Sequence, residues 1–296
     1  MEILFGILKA ILYGVVEGIT EWLPISSTGH LILVEEFLPF TNVSEGFFEM
    51  FDVVIQLGAI LAVVVLFWQK IWPFALTKHQ QENESVRRQQ AGEGGKMPTV
   101  FRTDIWRLWF HILVSCIPAA VIGVLFDDVF DALFYNYPSV AVALIVFGIA
   151  FILVENWNRG REPKITAVSE ITYTTAMLIG VFQLLAAIFP GTSRSGATIV
   201  GALLIGVART VAAEYTFYLA IPVMFGASLL KIVKFGFAFS GPELAILLVG
   251  TLVAFLVSLF VLRFLMNYVK KHDFKVFGWY RIILGIVVLA YFIITY

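Results

Sequence analysis

Residues Gly14–His30 read GVVEGITEWLPISSTGH, and residues Gly180–Gly196 read GVFQLLAAIFPGTSRSG. Each begins as an apolar helical run and breaks at a proline into hydroxyls and glycine. At a spacing of 166 residues Gly14 matches Gly180, Pro24 matches Pro190, Ser27 matches Ser193 and Ser26 falls against Thr192. In each copy the apolar arm after the break is short, about a dozen residues, where a bilayer core needs about 20. Each region (3–38 and 172–208) therefore predicts a hairpin of two unequal helices that enters and leaves on one face. Irregular backbone at membrane depth survives only where protein or a water-filled cavity surrounds it.

The rest of the chain supports lipid as its solvent. Of 296 residues 60% are hydrophobic and 14% charged, and the mean hydropathy is +0.91. Soluble domains carry about 25% charged residues, so this apolar surface cannot be hidden in a soluble core. A net charge of −1 offers nothing to nucleic acid. Six segments are long enough to span: 51–72, 105–125, 139–157, 213–234, 243–266 and 279–296. The apolar start lacks the basic region and cleavage site of a signal peptide and reads as retained. Cys116, the one cysteine, reads as packing.

Lys and Arg set the orientation. They gather in the linkers 70–107, 158–164 and 263–281, the last including Arg263, Lys270, Lys271, Lys275 and Arg281, while 39–50 and 126–138 carry acids only. With three spans between the hairpins, the basic linkers share the cytoplasmic side and both termini face outward. The first hairpin enters from outside and the second from inside. The expected fold is all-α integral membrane: six transmembrane helices plus two re-entrant hairpins as an inverted-topology repeat. Repeat 1 covers about 1–157 and repeat 2 about 165–296. Paired interrupted segments in such repeats point to the binding site. The polar stretch 77–100, with His79, reads as a cytoplasmic loop without catalytic role.

Glu17 and Glu21 lie four residues apart, on one face of an apolar helix. Two buried acids need a divalent cation, an arginine or a shared proton. Ser26, Ser27, Thr28 and Gly29 sit where a new helix begins; its free N–H groups and positive dipole end suit a phosphate. His30 stands in its first turn. Arg194, flanked by Thr192, Ser193, Ser195 and glycines, offers a planar fork to phosphate oxygens, whereas Arg209 reads as interfacial. If the hairpin tips meet at the midplane, the set can bind a metal diphosphate and hydrolyse it.

The strings Glu17–His30 and Pro190–Gly196, with Phe51–Ile60 (FDVVIQLGAI), resemble the signature stretches of the undecaprenyl-diphosphate phosphatase (bacitracin-resistance) family. The resemblance covers nearly the whole chain, with 77–100 as an insertion. It implies cleavage of a C55 polyprenyl diphosphate to the monophosphate and inorganic phosphate, a Mg2+ or Ca2+ ion, and recycling of the lipid carrier of cell-wall synthesis in the bacterial cytoplasmic membrane. It carries Glu17, Glu21, Ser27, His30 and Arg194 over as the core site, with Ser26, Thr28, Gly29, Gln56, Thr192 and Ser193 about the phosphates. On this reading Glu17 and Glu21 hold the metal. Ser27 activated by His30, water, and His30 itself all stand as attacking groups. The site opens outward, the tail lies in an apolar groove open to lipid, and a homodimer is compatible. A lipid-phosphate carrier or flippase is the rival, since inverted repeats and broken helices are transporter architecture. It has no need of paired acids beside a serine and a histidine. A non-catalytic scaffold has no use for a matched second hairpin.

Overall fold

The computed structural model describes residues 2–41, 43–74, 102–236 and 239–295; the stretch 77–100 lies outside them. The described residues form helices α1 (Glu2–Thr20), α2 (Ser27–Phe37), α3 (Phe47–Val54), α4 (Gln56–Ile71), α5 (Thr103–Phe134), α6 (Tyr137–Trp157), α7 (Tyr173–Ile188), α8 (Arg194–Ile205), α9 (Arg209–Phe235), α10 (Gly241–Tyr268) and α11 (Lys275–Thr295). Among the described residues seven helical runs are long and apolar enough to cross a membrane. Six correspond to the expected spans, with α3 and α4 forming one run. The seventh is α1, the long arm of the first hairpin. The acidic stretch expected as a loop at 126–138 is helical through Phe134. No Gly or Pro falls between Phe126 and Phe134 to end the helix sooner. Asn136 then caps α6 by accepting from the Ser139 N–H at 3.0 Å.

Both interrupted regions reverse the chain. Lys9 Nζ and Tyr13 Oη, on α1, donate to the carbonyls of Pro39 and Leu38 just past α2. The far end of α2 thus returns to the level of the middle of α1. In the second hairpin the two ends are joined: Ile165 and Val207 form a parallel bridge, and Asn158 Nδ2 donates to Leu203 O at 3.0 Å. Buried Glu155 secures that end, accepting from the Arg209 guanidinium and from the Phe274 N–H.

In lipid there is little hydrophobic gain from pairing helices, so close backbone approach must do the work. α1 packs on α10 and α7 on α5. The same glycine of each hairpin makes the contact. A Cβ on Gly14 would lie 2.6 Å from Gly250 O, and one on Gly180 2.4 Å from Ser115 O. Each hairpin's long arm therefore leans on a helix from the other half of the chain. α6 and α11 pair across Gly148 and Gly278. α9 is buried along its first half, with Tyr215, Phe217, Tyr218, Leu219 and Ala220 at the centre of the core.

Candidate active site

The two chain reversals end in matching helix caps. Ser26 accepts from Gly29 N–H at 3.3 Å, and Ser193 accepts from Gly196 N–H at 3.2 Å. Both caps hold positive φ, 77° and 69°, which side-chain-bearing residues rarely adopt. The structural equivalence is thus Ser26 with Ser193, not Ser27 with Ser193 as the constant spacing had it. The second turn carries one extra residue between proline and cap, and Gly191, at φ 90°, takes up the bend. In consequence Arg194 occupies the position of Ser27, each the first residue of its short helix.

That swap brings the two residues onto one carboxylate. Ser27 Oγ donates to Glu21 Oε2 at 2.8 Å, and Arg194 Nη2 donates to Glu21 Oε1 at 2.8 Å. Ser195 Oγ donates to Glu21 O at 3.2 Å, and Arg194 Nη1 to Thr216 O at 3.2 Å. The Glu21 and Arg194 side chains are 9% and 12% exposed. Such a pair is far less screened by water than a surface one, and removing one partner strands the other. Thr198 supports the arginine's helix, donating to Arg194 O and sharing a hydrogen bond with the Thr216 hydroxyl at 2.9 Å.

His30 is engaged elsewhere. Its Nδ1 lies 2.7 Å from Ser26 O and its Nε2 2.7 Å from Tyr280 Oη, with the two rings stacked. A carbonyl only accepts, so Nδ1 carries a proton. In the neutral ring Nε2 is then the acceptor for the tyrosine hydroxyl. In this conformation the Ser27 hydroxyl is directed to Glu21 rather than to the imidazole. Thr28 is half-buried, Gly29 is buried in the α2 cap, and Gln56 stands half-buried at the start of α4. Thr192 is fully buried, and its Oγ1 lacks a partner among the described residues.

Glu17 is fully buried, and neither carboxylate oxygen has a partner among the described residues. It is within electrostatic reach of Glu21, Asp52 and Arg194. Each oxygen of Glu21 accepts one hydrogen bond, from Ser27 or Arg194, and keeps a further lone pair. No cluster of three or more His, Cys, Asp or Glu is placed to hold a metal among the described residues. The free oxygens of Glu17 still provide a hard anionic anchor suited to Mg2+ or Ca2+.

Four residues were missed from sequence. Tyr280 left no signal beyond its place in an apolar helix; Asp52, whose buried Oδ1 lacks a partner among the described residues, stands in the stretch Phe51–Ile60 but was given no role. Gln183 is buried with neither amide atom partnered among the described residues. The spacing of 166 could have found it, because it maps Glu17 onto Gln183. Arg281 is the correction: assigned to a cytoplasmic linker, it lies two turns inside α11 and is 0% exposed. Its guanidinium donates to Pro24 O, Gly191 O, Thr192 O and Leu144 O at 3.3, 2.9, 2.7 and 3.5 Å. It ties both chain reversals together with α6. A Lys/Arg count treats any basic residue beside an apolar run as loop, and so cannot see an arginine satisfied by carbonyls.

Known proteins share this chain's sequence along most of its length. The family described as Bacitracin resistance protein BacA matches residues 10–287. A protein of Desulfitobacterium hafniense named Undecaprenyl-diphosphatase is 63% identical over 289 residues, covering 98% of this chain and 97% of its own. Undecaprenyl-diphosphatase 1 of Clostridium acetobutylicum is 61% identical over 289 residues, 98% of each. The Undecaprenyl-diphosphatase of Acetivibrio thermocellus is 57% identical over 287 residues, 97% of this chain and 98% of its own.

Proposed function

The chain belongs to the BacA family of bacitracin resistance proteins, and we propose that it hydrolyses undecaprenyl diphosphate to undecaprenyl phosphate and inorganic phosphate. As a multi-pass protein of the bacterial cytoplasmic membrane it would return the lipid carrier to cell-wall synthesis and confer bacitracin resistance. One observation carries the mechanism: Glu21 holds Ser27 from one hairpin and Arg194 from the other at 2.8 Å each. The terminal phosphate sits at the start of α2 and α8, where backbone N–H groups and Arg194 bear its charge. Ser27 Oγ attacks the terminal phosphorus while its proton passes to Glu21. The bond from that phosphorus to the bridging oxygen breaks, and undecaprenyl phosphate departs. Water then cleaves the phosphoserine, releasing phosphate and restoring the hydroxyl. His30 and Tyr280 stand beside α2 as a hydrogen-bonded pair able to pass a proton in this second step. A carrier would need Arg194 but has no use for a serine hydroxyl aimed at a carboxylate.

A Mg2+ or Ca2+ ion is part of the proposal. Glu17 would hold it, leaving Glu21 to Ser27 and Arg194. The bound ion would screen the diphosphate and draw charge from the leaving phosphate.

Phosphate release from undecaprenyl diphosphate by the purified protein in detergent tests this reading, with and without Mg2+ or Ca2+. Metal-dependent release is expected, reduced about 100–1,000-fold in Arg194→Ala, the usual cost of one electrostatic stabiliser. No release under either metal from folded protein would sink the phosphatase reading and turn attention to lipid flux.

The same reading takes six helical runs as spans and the two hairpins as re-entrant, with both termini and the site opening outside. The returns at Lys9–Pro39 and Ile165–Val207 and the basic linkers support it. In a Cys116→Ala background, a membrane-impermeant maleimide added to intact cells is expected to label Gly241→Cys. Ser169→Cys should be labelled only after lysis. The opposite pattern would invert the orientation.

A further inference from the structure

Between α5 and α9 lies an apolar cleft of about 650 Å3. Its α5 wall carries Cys116, Ala119, Ala120 and Gly123, spaced i, i+3, i+4 and i+7 on one face, and α9 opposes them with Gly226 and Ala227. Small residues at this spacing normally let membrane helices touch. Here they do not. A Cβ on Gly123 or Gly226 would meet nothing within 4 Å, whereas one on Gly58 would lie 2.0 Å from Thr251 O. These glycines hold space open.

The cleft lies along helices that also carry the site or its supports. Val223, in its wall, lies seven residues beyond Thr216 on α9, hence on the same helix face and about 10 Å along it. Thr216 O accepts from Arg194. Ala187, also in the wall, is three residues before Pro190. Cys116 lies within electrostatic reach of Arg194.

We propose that the cleft between α5 and α9 seats the first isoprenoid units of the substrate's tail, so that Gly123 and Gly226 select for a polyprenyl chain. This rests on the phosphatase reading above. A diphosphate at Arg194 must send its tail somewhere apolar, and the volume falls within the roughly 300–1,000 Å3 of ordinary ligand pockets. The cleft therefore takes the units nearest the diphosphate and leaves the remainder to lipid.

Cys116 provides a built-in reporter, being the one cysteine of the chain and half-buried in the cleft wall. The test is its rate of labelling by N-ethylmaleimide in phospholipid nanodiscs. Undecaprenyl phosphate is added in one arm and inorganic pyrophosphate in another. The polyprenyl lipid is expected to slow labelling about tenfold at roughly ten times its Kd, with pyrophosphate without effect. In parallel, Gly226→Phe should raise KM for undecaprenyl diphosphate about 10–100-fold and raise that for isopentenyl diphosphate, which carries a single unit, far less. Protein that hydrolyses the C55 lipid but shows neither protection nor a selective KM change overturns the cleft and spares the phosphatase. Equal slowing by added phosphatidic acid, a phosphate lipid without isoprenoid units, overturns selection for a polyprenyl chain and assigns the cleft to bulk lipid. Wild-type protein that hydrolyses no polyprenyl diphosphate removes the phosphatase reading and the cleft with it.

Discussion

Glu21→Gln is expected to lower the kcat for phosphate release by about 100–10,000-fold, the range for losing a positioned general base. The carboxylate does two things at once. It takes the Ser27 proton and holds the Arg194 guanidinium, each at 2.8 Å. An amide of the same shape keeps one acceptor oxygen and puts an N–H pair on the other side. Whichever way it turns, either Ser27 or Arg194 faces a donor. If the oxygen stays with Arg194, Ser27 no longer points its proton at a base. The effect should fall on kcat rather than on KM, because Arg194, relieved of its counter-charge, remains free to hold phosphate. That split marks loss of an interaction made in the transition state. Steady-state kinetics in detergent on folded protein reads it. Wild-type kcat would take Glu21 out of the mechanism, and a raised KM at unchanged kcat would reassign it to binding.

Arg281→Met should cost about 3–5 kcal/mol of stability and lower the unfolding temperature in detergent by about 10 °C. The methionine fills similar volume but donates nothing. Three carbonyls, of Pro24, Gly191 and Thr192, then lose their buried donor, while Leu144 O keeps its partner within α6, and an unmet buried acceptor costs about 1–3 kcal/mol. All three belong to the chain reversals: Pro24 before the first cap, Gly191 and Thr192 before the second. The loss should therefore reach activity, since Ser27 and Arg194 are the first residues after those caps. Arg281→Lys should fall between the two, because an ammonium cannot span four acceptors as a planar fork does. Thermal unfolding and phosphate release measured together would show the order Arg, Lys, Met. Wild-type stability in the methionine variant would mean that the chain reversals hold themselves.

These two residues mark the limits of what the sequence could tell. Glu21 was legible because a carboxylate four residues from another, in an apolar run that ends at a proline, has no inexpensive structural reason to be there. Arg194 was legible for the same reason. Ser27, His30 and the caps followed from position at a helix start. Arg281 was not, because its partners are backbone carbonyls, which leave no mark in a sequence. The Ser27–Glu21 contact was obscured by proximity: His30 is three residues from Ser27 and Glu21 six, yet the helix turn gives the imidazole to Ser26 O and Tyr280.

The sequence by itself determined the solvent, the helical class, the interrupted segments and their repetition. Apolar run length, proline and charge placement are local properties, and lipid penalises any departure from them heavily. Tertiary structure alone decided the one-residue slip that sets Arg194 opposite Ser27. It also decided the lean of each hairpin on the other half, the burial of Arg281, and the open cleft between α5 and α9. Each of these depends on which backbone approaches which. The same small residue closes a contact at Gly180 and keeps a space at Gly226, and only the neighbouring helix determines which.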